Sequence, residues 1–90
     1  MAQLGMDADL IEQLGRQLKQ QAGEIGNTIN QINHLVGQMQ QHWWGQDAQT
    51  FCNDWWPQHR NELQTAQHNI DGLGQSALNN ASDQRNVSNH

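Results

Sequence analysis

The ninety residues contain no tyrosine, one phenylalanine, one proline and one cysteine. The lone cysteine, Cys52, leaves no disulfide within the chain and no Cys-x-x-Cys pair for structural zinc. Such a thiol bridges only to another chain, and only where conditions are oxidising. Basic residues are scarce too. Arg16, Lys19, Arg60 and Arg85 stand against nine acids, for a net charge of −5. Nucleic-acid binding needs clustered cations to displace counterions from phosphates, so that class is excluded, and an anionic membrane surface is disfavoured for the same reason. No apolar run approaches the roughly 20 residues a bilayer requires, so stable membrane insertion is not expected. Residues 1–6 lack both a basic region and an apolar stretch, so no cleaved signal peptide is expected.

What is present is Gln, Asn and a regular apolar pattern. Only 34% of the chain is hydrophobic and 14% charged, a composition that could be disordered if the apolar residues were scattered. They are not scattered. Ile11, Leu14, Leu18, Ala22, Ile25, Ile29, Ile32, Val36, Met39 and Trp43 follow one another mostly at steps of three or four, the seam of a helix packed along its length. Leu10 and Leu35 widen the stripe, which suits a helix with more than one neighbour. Asp7 is placed to cap the helix, Asp9 and Glu12 put negative charge in its first turns, and Glu12 and Arg16 form an i,i+4 pair. Gly23, Gly26 and Gly37 weaken this helix and permit a bend or a close backbone approach.

The pattern repeats through Ala48, Phe51, Trp55, Leu63, Ala66, Ile70, Leu73, Ala77 and Ala81. Pro57 falls inside it, and a kink is expected near 53–57, with the helix resuming beyond. Gly72 and Gly74 loosen the later part. Residues 82–90 carry no seam and are expected to form a mobile tail. The reading is therefore all-α: one helix over about 7–41, a turn at 43–46, and a second helix over about 47–80. Each is about 50 Å long at 1.5 Å per residue, and the short connection makes them antiparallel. A lone hairpin buries one side of each stripe, so a second chain is expected to cover the rest, most simply as a four-helix bundle. The residues expected in the core or partner interface are Ile11, Leu14, Leu18, Ile25, Ile29, Ile32, Val36, Met39, Phe51, Trp55, Leu63, Ile70 and Leu73.

The turn, His-Trp-Trp-Gly-Gln-Asp-Ala-Gln-Thr-Phe at 42–51, is the most distinctive stretch. Gly45 permits the reversal, and Trp43 can plug the end of the hairpin. With Trp43-Trp44-Gly45 followed by Ala48, Phe51 and Trp55, midway between two seams, the chain resembles the WXG family over nearly its whole length. These are the early secreted antigenic target-like helical hairpins of type VII secretion. The resemblance implies a homodimer or heterodimer with a related hairpin, exported without a cleaved signal peptide and recognised by the secretion ATPase or its machinery. It also implies an export signal composed of the Trp-x-Gly turn of one subunit, here Trp43, Trp44 and Gly45, and a C-terminal Tyr-x-x-x-Asp/Glu element on the other. Asp83 occupies an acidic position, but Asn79 stands where the tyrosine would be. Either a partner chain supplies that element, or another signal is used.

Trp43 and Trp55 are expected to be structural, and Trp44 and Trp56 to be exposed and to contact another chain, the secretion machinery or a wall glycan. His42, Cys52 and His59 match no common zinc spacing, so no metal or other cofactor is expected. Cys52 lacks a base and a pocket, and no phosphate loop or nucleophile–base arrangement appears, so catalysis is not expected. The leading functional reading is an exported substrate, or a cargo partner or chaperone, of a type VII system, acting by protein–protein interaction. A cytoplasmic coiled-coil adaptor without a secretion role accounts for the seams but not for the clustered tryptophans and Gly45. A pore-forming effector is disfavoured by the Gln/Asn exterior.

Overall fold

Asp7 begins the ordered helix: its carboxylate accepts from the Leu10 amide at 3.1 Å and caps α1, Ala8–His42. The computed structural model describes residues 5–88. After α1 the chain passes through Trp43, Trp44 and Gly45 into α2 (Gln46–Gln49), a π-helical segment (Thr50–Trp55) and α3 (Trp56–Ser88). Among the described residues there is no strand. Side-chain bonds between Gln40 and Asn53 at one end, and Arg85 and Asp9 at the other, show the two long arms running antiparallel along a rod of 67 × 17 × 16 Å.

The reversal depends on backbone conformations that the sequence supplies. Trp43 is extended at φ −138°, and Gly45 adopts φ 107°, a left-handed conformation that costs glycine little. The Gly45 carbonyl then accepts from the Gln49 amide at 3.2 Å, starting the second arm. The kink expected near Pro57 takes the form of a widened turn. Proline has no N–H to offer the Asn53 carbonyl, and its ring crowds that carbonyl in a regular helix. The preceding π-helical segment, in which the Trp56 amide bonds the Phe51 carbonyl five residues back, relieves the crowding without ending the helix.

The core is thin and built on a seven-residue repeat. The buried positions of α1 are Gly15, Ala22, Ile29 and Val36, and those of the second arm include Ala48, Cys52, Trp56 and Ala81. Val36, Cys52 and Trp56 form one cluster, with Ile32 and Phe51 packed against it. Near the other end the helices meet almost backbone to backbone, where a Cβ on Gly15 would lie 3.0 Å from the Gly74 carbonyl oxygen. The expected seam is thus split. One row faces the other arm, while Leu14, Leu18, Met39, Trp55, Leu63 and Leu73 remain exposed.

The two flanks of this core differ in chemistry. On one, α1 presents Glu12, Lys19, Asn33 and Gln40, again seven residues apart apart from the gap at Gly26, and each bonds across to the second arm. Glu12 pairs with Arg85 at 2.5 Å, and Lys19 donates to Gln75 at 2.9 Å and reaches Asp71 at 3.3 Å. Asn33 accepts from Trp56 Nε1 at 3.0 Å and from Arg60 at 2.9 Å, and Gln40 donates to Asn53 at 3.0 Å. At Gly26 the Gln67 side chain fills the space a Cβ would need. The other flank carries Ile11, Leu18, Ile25, Ile32 and Met39 from α1, with Phe51, Trp55, Ile70 and Leu73 from the second arm.

Residues 82–88, expected to form a tail without a seam, are the last turns of α3, which runs to Ser88. Ala81 is completely buried, and Arg85 donates to Asp9 at 2.6 Å as well as to Glu12. Ala81, the last residue of the apolar pattern, and an ion pair that no apolar count registers anchor this turn. Residues 89 and 90 lie outside the described residues.

Candidate functional site

Distinctive side chains concentrate at the turn end. Trp43, Phe51, Trp55 and His59 form a continuous column, with ring centroids 5.6, 5.2 and 4.3 Å apart in succession. Phe51 and Trp55 are stacked, with planes 16° apart. The wide turn between α2 and α3 explains the alignment. Residues four apart drift one way around an α-helix and the other way around a π-helix, so a mixture of both keeps 47, 51, 55 and 59 in line. Trp43, Asp47, Thr50, Phe51 and Trp55 together line a shallow surface groove. A second groove, between Trp43, Trp44, Gly45, Ala48, Gln49, Gln40 and Asn53, opens on the polar flank.

The four tryptophans divide differently from expectation. Trp56, expected to be exposed and to contact another chain, is 5% exposed and is the largest side chain of the core. Its row is Ala48, Cys52 and Trp56, three residues at four-residue steps facing Val36, and its indole N–H is satisfied by Asn33. Trp55, expected to be structural, is 49% exposed, Trp43 is 38% exposed, and Trp44 is 78% exposed at the tip of the turn. Of the residues expected in a core or partner interface, Ile29 and Val36 are buried inside the hairpin, while Ile11, Ile25, Ile32, Phe51 and Ile70 are half-buried at its apolar flank. The rest are exposed. The missed inward positions are Gly15, Gly74, Cys52 and Trp56. Glycine carries no hydrophobic signal, but the seven-residue spacing of Gly15, Ala22, Ile29 and Val36 was there to be found.

Electrostatics are local. A hydrogen bond from Arg85 holds the Glu12 carboxyl below its ordinary value, with Arg16 adding to the effect at 2.6 Å, against a smaller opposing effect of desolvation. The same contacts with Glu12 and Asp9 raise Arg85. Cys52 is buried beside Val36 and Trp56. Among the described residues no three His, Cys, Asp or Glu side chains are grouped to hold a metal ion, and His42, Cys52 and His59 form no such set.

The family model described as proteins of 100 residues with WXG matches residues 3–86. The chain belongs to the WXG100 family. Its members are small helical hairpins associated with type VII secretion and are not known as enzymes, and the fold described above is that hairpin. No curated protein and no solved structure matches the chain. Within the WXG100 motif, Trp43 and Gly45 are the named positions and Trp44 is the variable one between them. No helix of the described residues is long and apolar enough to cross a membrane.

Proposed function

We propose that this WXG100 protein is an exported substrate or cargo partner of a type VII secretion system, working as a dimer of hairpins without catalysis. The observation that carries the reading is the two-sided construction of the hairpin. One flank is closed by side-chain bonds between its own arms, and the other leaves Leu18, Met39, Trp55 and Leu73 exposed beside half-buried Ile25 and Ile32. An isolated hairpin with so thin a core gains little from burial, and covering that flank supplies what is missing.

A second copy of the chain fits this flank in antiparallel orientation. The α1 row is symmetric about Ile25: Leu18 and Ile32 lie equally far from it on either side, as do Ile11 and Met39. A two-fold axis beside Ile25 pairs each residue with its counterpart, the condition for a self-complementary interface. It also sets the leucine end of one copy, Leu10, Leu14 and Leu18, against the aromatic end of the other, Met39, Trp43, Phe51 and Trp55. A parallel pair would oppose leucines to leucines and leave two aromatic ends abutting.

Export then depends on the turn, with Trp43 and Gly45 presented to the secretion ATPase or its machinery. The tyrosine of the family's second export element has no counterpart in these ninety residues, so a co-exported chain is the source this reading favours. The test is export of Trp43→Ala from a host with an active type VII system. Loss of the protein from the medium, with cytoplasmic protein still helical and dimeric, is the expected result. Unchanged export would overturn the role assigned to the turn. Recovery of wild-type protein from the cytoplasm alone would favour the adaptor reading.

A further inference from the structure

The groove at the tip of the polar flank is a second site, whose lining shares only Trp43 with the flank assigned to the partner. It is lined by Gln40, Gln49 and Asn53 with Ala48 and Gly45, together with Trp43 and Trp44. Trp44 is the most exposed large apolar side chain named for the described residues, at 78%. It enters none of the aromatic contacts that join Trp43, Phe51, Trp55 and His59. An isolated indole with free faces, beside side-chain amides, is unusual for a surface whose other apolar residues lie in rows along a helix.

The lining sets the ligand chemistry. No charged side chain borders the groove, so an ion would find no counter-charge there. A wholly apolar ligand would strip water from three carboxamides and return nothing to them. Each carboxamide offers both donors and acceptors, and the Gln40–Asn53 bond of 3.0 Å already orders two of them. Gly45, held at φ 107°, has no atom outside its chain neighbours within 4 Å of where a Cβ would point, so the space beside it is open. A molecule with an apolar face bounded by neutral hydroxyl or acetamido groups satisfies all of these at once.

We propose that the Trp44 groove binds a neutral pyranose sugar, the ring face stacked on the Trp44 indole and its hydroxyl or acetamido groups bonded to Gln40, Gln49 and Asn53. The site does not rest on dimerisation, and although it shares Trp43 and Gly45 with the turn assigned to export, its sugar contacts are Trp44, Gln40, Gln49 and Asn53, which that role does not use. A short peptide containing proline shares part of this chemistry. The sugar is favoured because three carboxamides surround a single ring, whereas a peptide crossing the turn would need further apolar seats.

The test is titration of the full chain, followed by the indole N–H signals of the four tryptophans, with chitotriose, cellotriose and a proline-rich peptide as probes. Saturable movement of the Trp44 signal by either sugar is expected at millimolar concentrations. Trp44→Ala should weaken binding about tenfold or abolish it, and Gln40→Leu should weaken it severalfold, each with helicity unchanged. Trp55→Ala, on the apolar flank, should leave sugar binding intact. No saturable shift with either sugar, a shift that survives Trp44→Ala, or binding of the peptide alone would overturn the assignment.

Discussion

Gly15 and Gly74 bring the two arms of the hairpin into backbone contact: a Cβ on Gly74 would lie 2.7 Å from the Gly15 carbonyl oxygen and 2.6 Å from Lys19 Cγ. The flexible lysine could move, but the carbonyl of a packed helix could not. Gly74→Ala should therefore destabilise the protein by about 1–3 kcal/mol, as overpacking does. Gly72→Ala makes the opposite case two residues away. Nothing lies within 4 Å of its Cβ position, so relief of glycine's helix penalty should stabilise by up to about 1 kcal/mol. Urea midpoints at one fixed protein concentration compare the two, and equal shifts of the same sign would refute the close crossing.

Adjacent tryptophans should behave as different kinds of residue. Trp56→Ala removes the largest buried side chain and leaves Asn33 without its indole donor, so a loss of about 3–5 kcal/mol is expected. Trp55→Ala should leave monomer helicity nearly unchanged and weaken self-association instead. Denaturation and concentration-dependent sedimentation separate the effects.

Acid should loosen the end of the rod away from the turn. Glu12 is lowered by its bond to Arg85, so its contribution is fully present above the ordinary carboxylate range and fades as pH falls through the lowered value. Amide exchange of the first turns of α1 and the last turns of α3 should speed up on that acid side. Arg85→Gln should produce the faster exchange already at neutral pH and flatten the pH dependence. Rapid exchange of residues 82–88 in the unmodified protein at neutral pH would count against the anchored C-terminal turn.

The polar flank should keep the assembly closed. Lys19→Leu combined with Gln40→Leu gives this flank apolar residues in line with the core row and removes the bonds to Gln75 and Asn53. Species larger than the parent assembly are expected by light scattering. A variant identical in mass to the parent would show that the flank does not govern association.

The architecture was legible because it rests on periodicity. Two apolar seams, Asp7, Gly45 and the Trp-x-Gly turn located the first helix and the start of the second to within a residue or two, whereas the second runs to Ser88, past its expected end near residue 80, and Glu12–Arg16 formed as an i,i+4 pair. The direction of each stripe was less legible. Apolar counting favoured Phe51, Trp55 and Leu14, whereas the inward line runs through Gly15, Cys52 and Trp56. Those positions are chosen by smallness at a close crossing and by a polar partner for an indole, and hydrophobicity registers neither. The π-helical segment ahead of Pro57 and the anchoring of Arg85 are likewise properties of the assembled pair of arms. They emerge only when both arms are in place.

The most direct measurement is the mass of the purified chain in solution, with its helicity followed on dilution. A strongly helical species of twice 10.2 kDa is expected, dissociating on dilution and shifted to monomer by Ile25→Glu. A stable, fully helical monomer of 10.2 kDa would contradict self-association through the apolar flank.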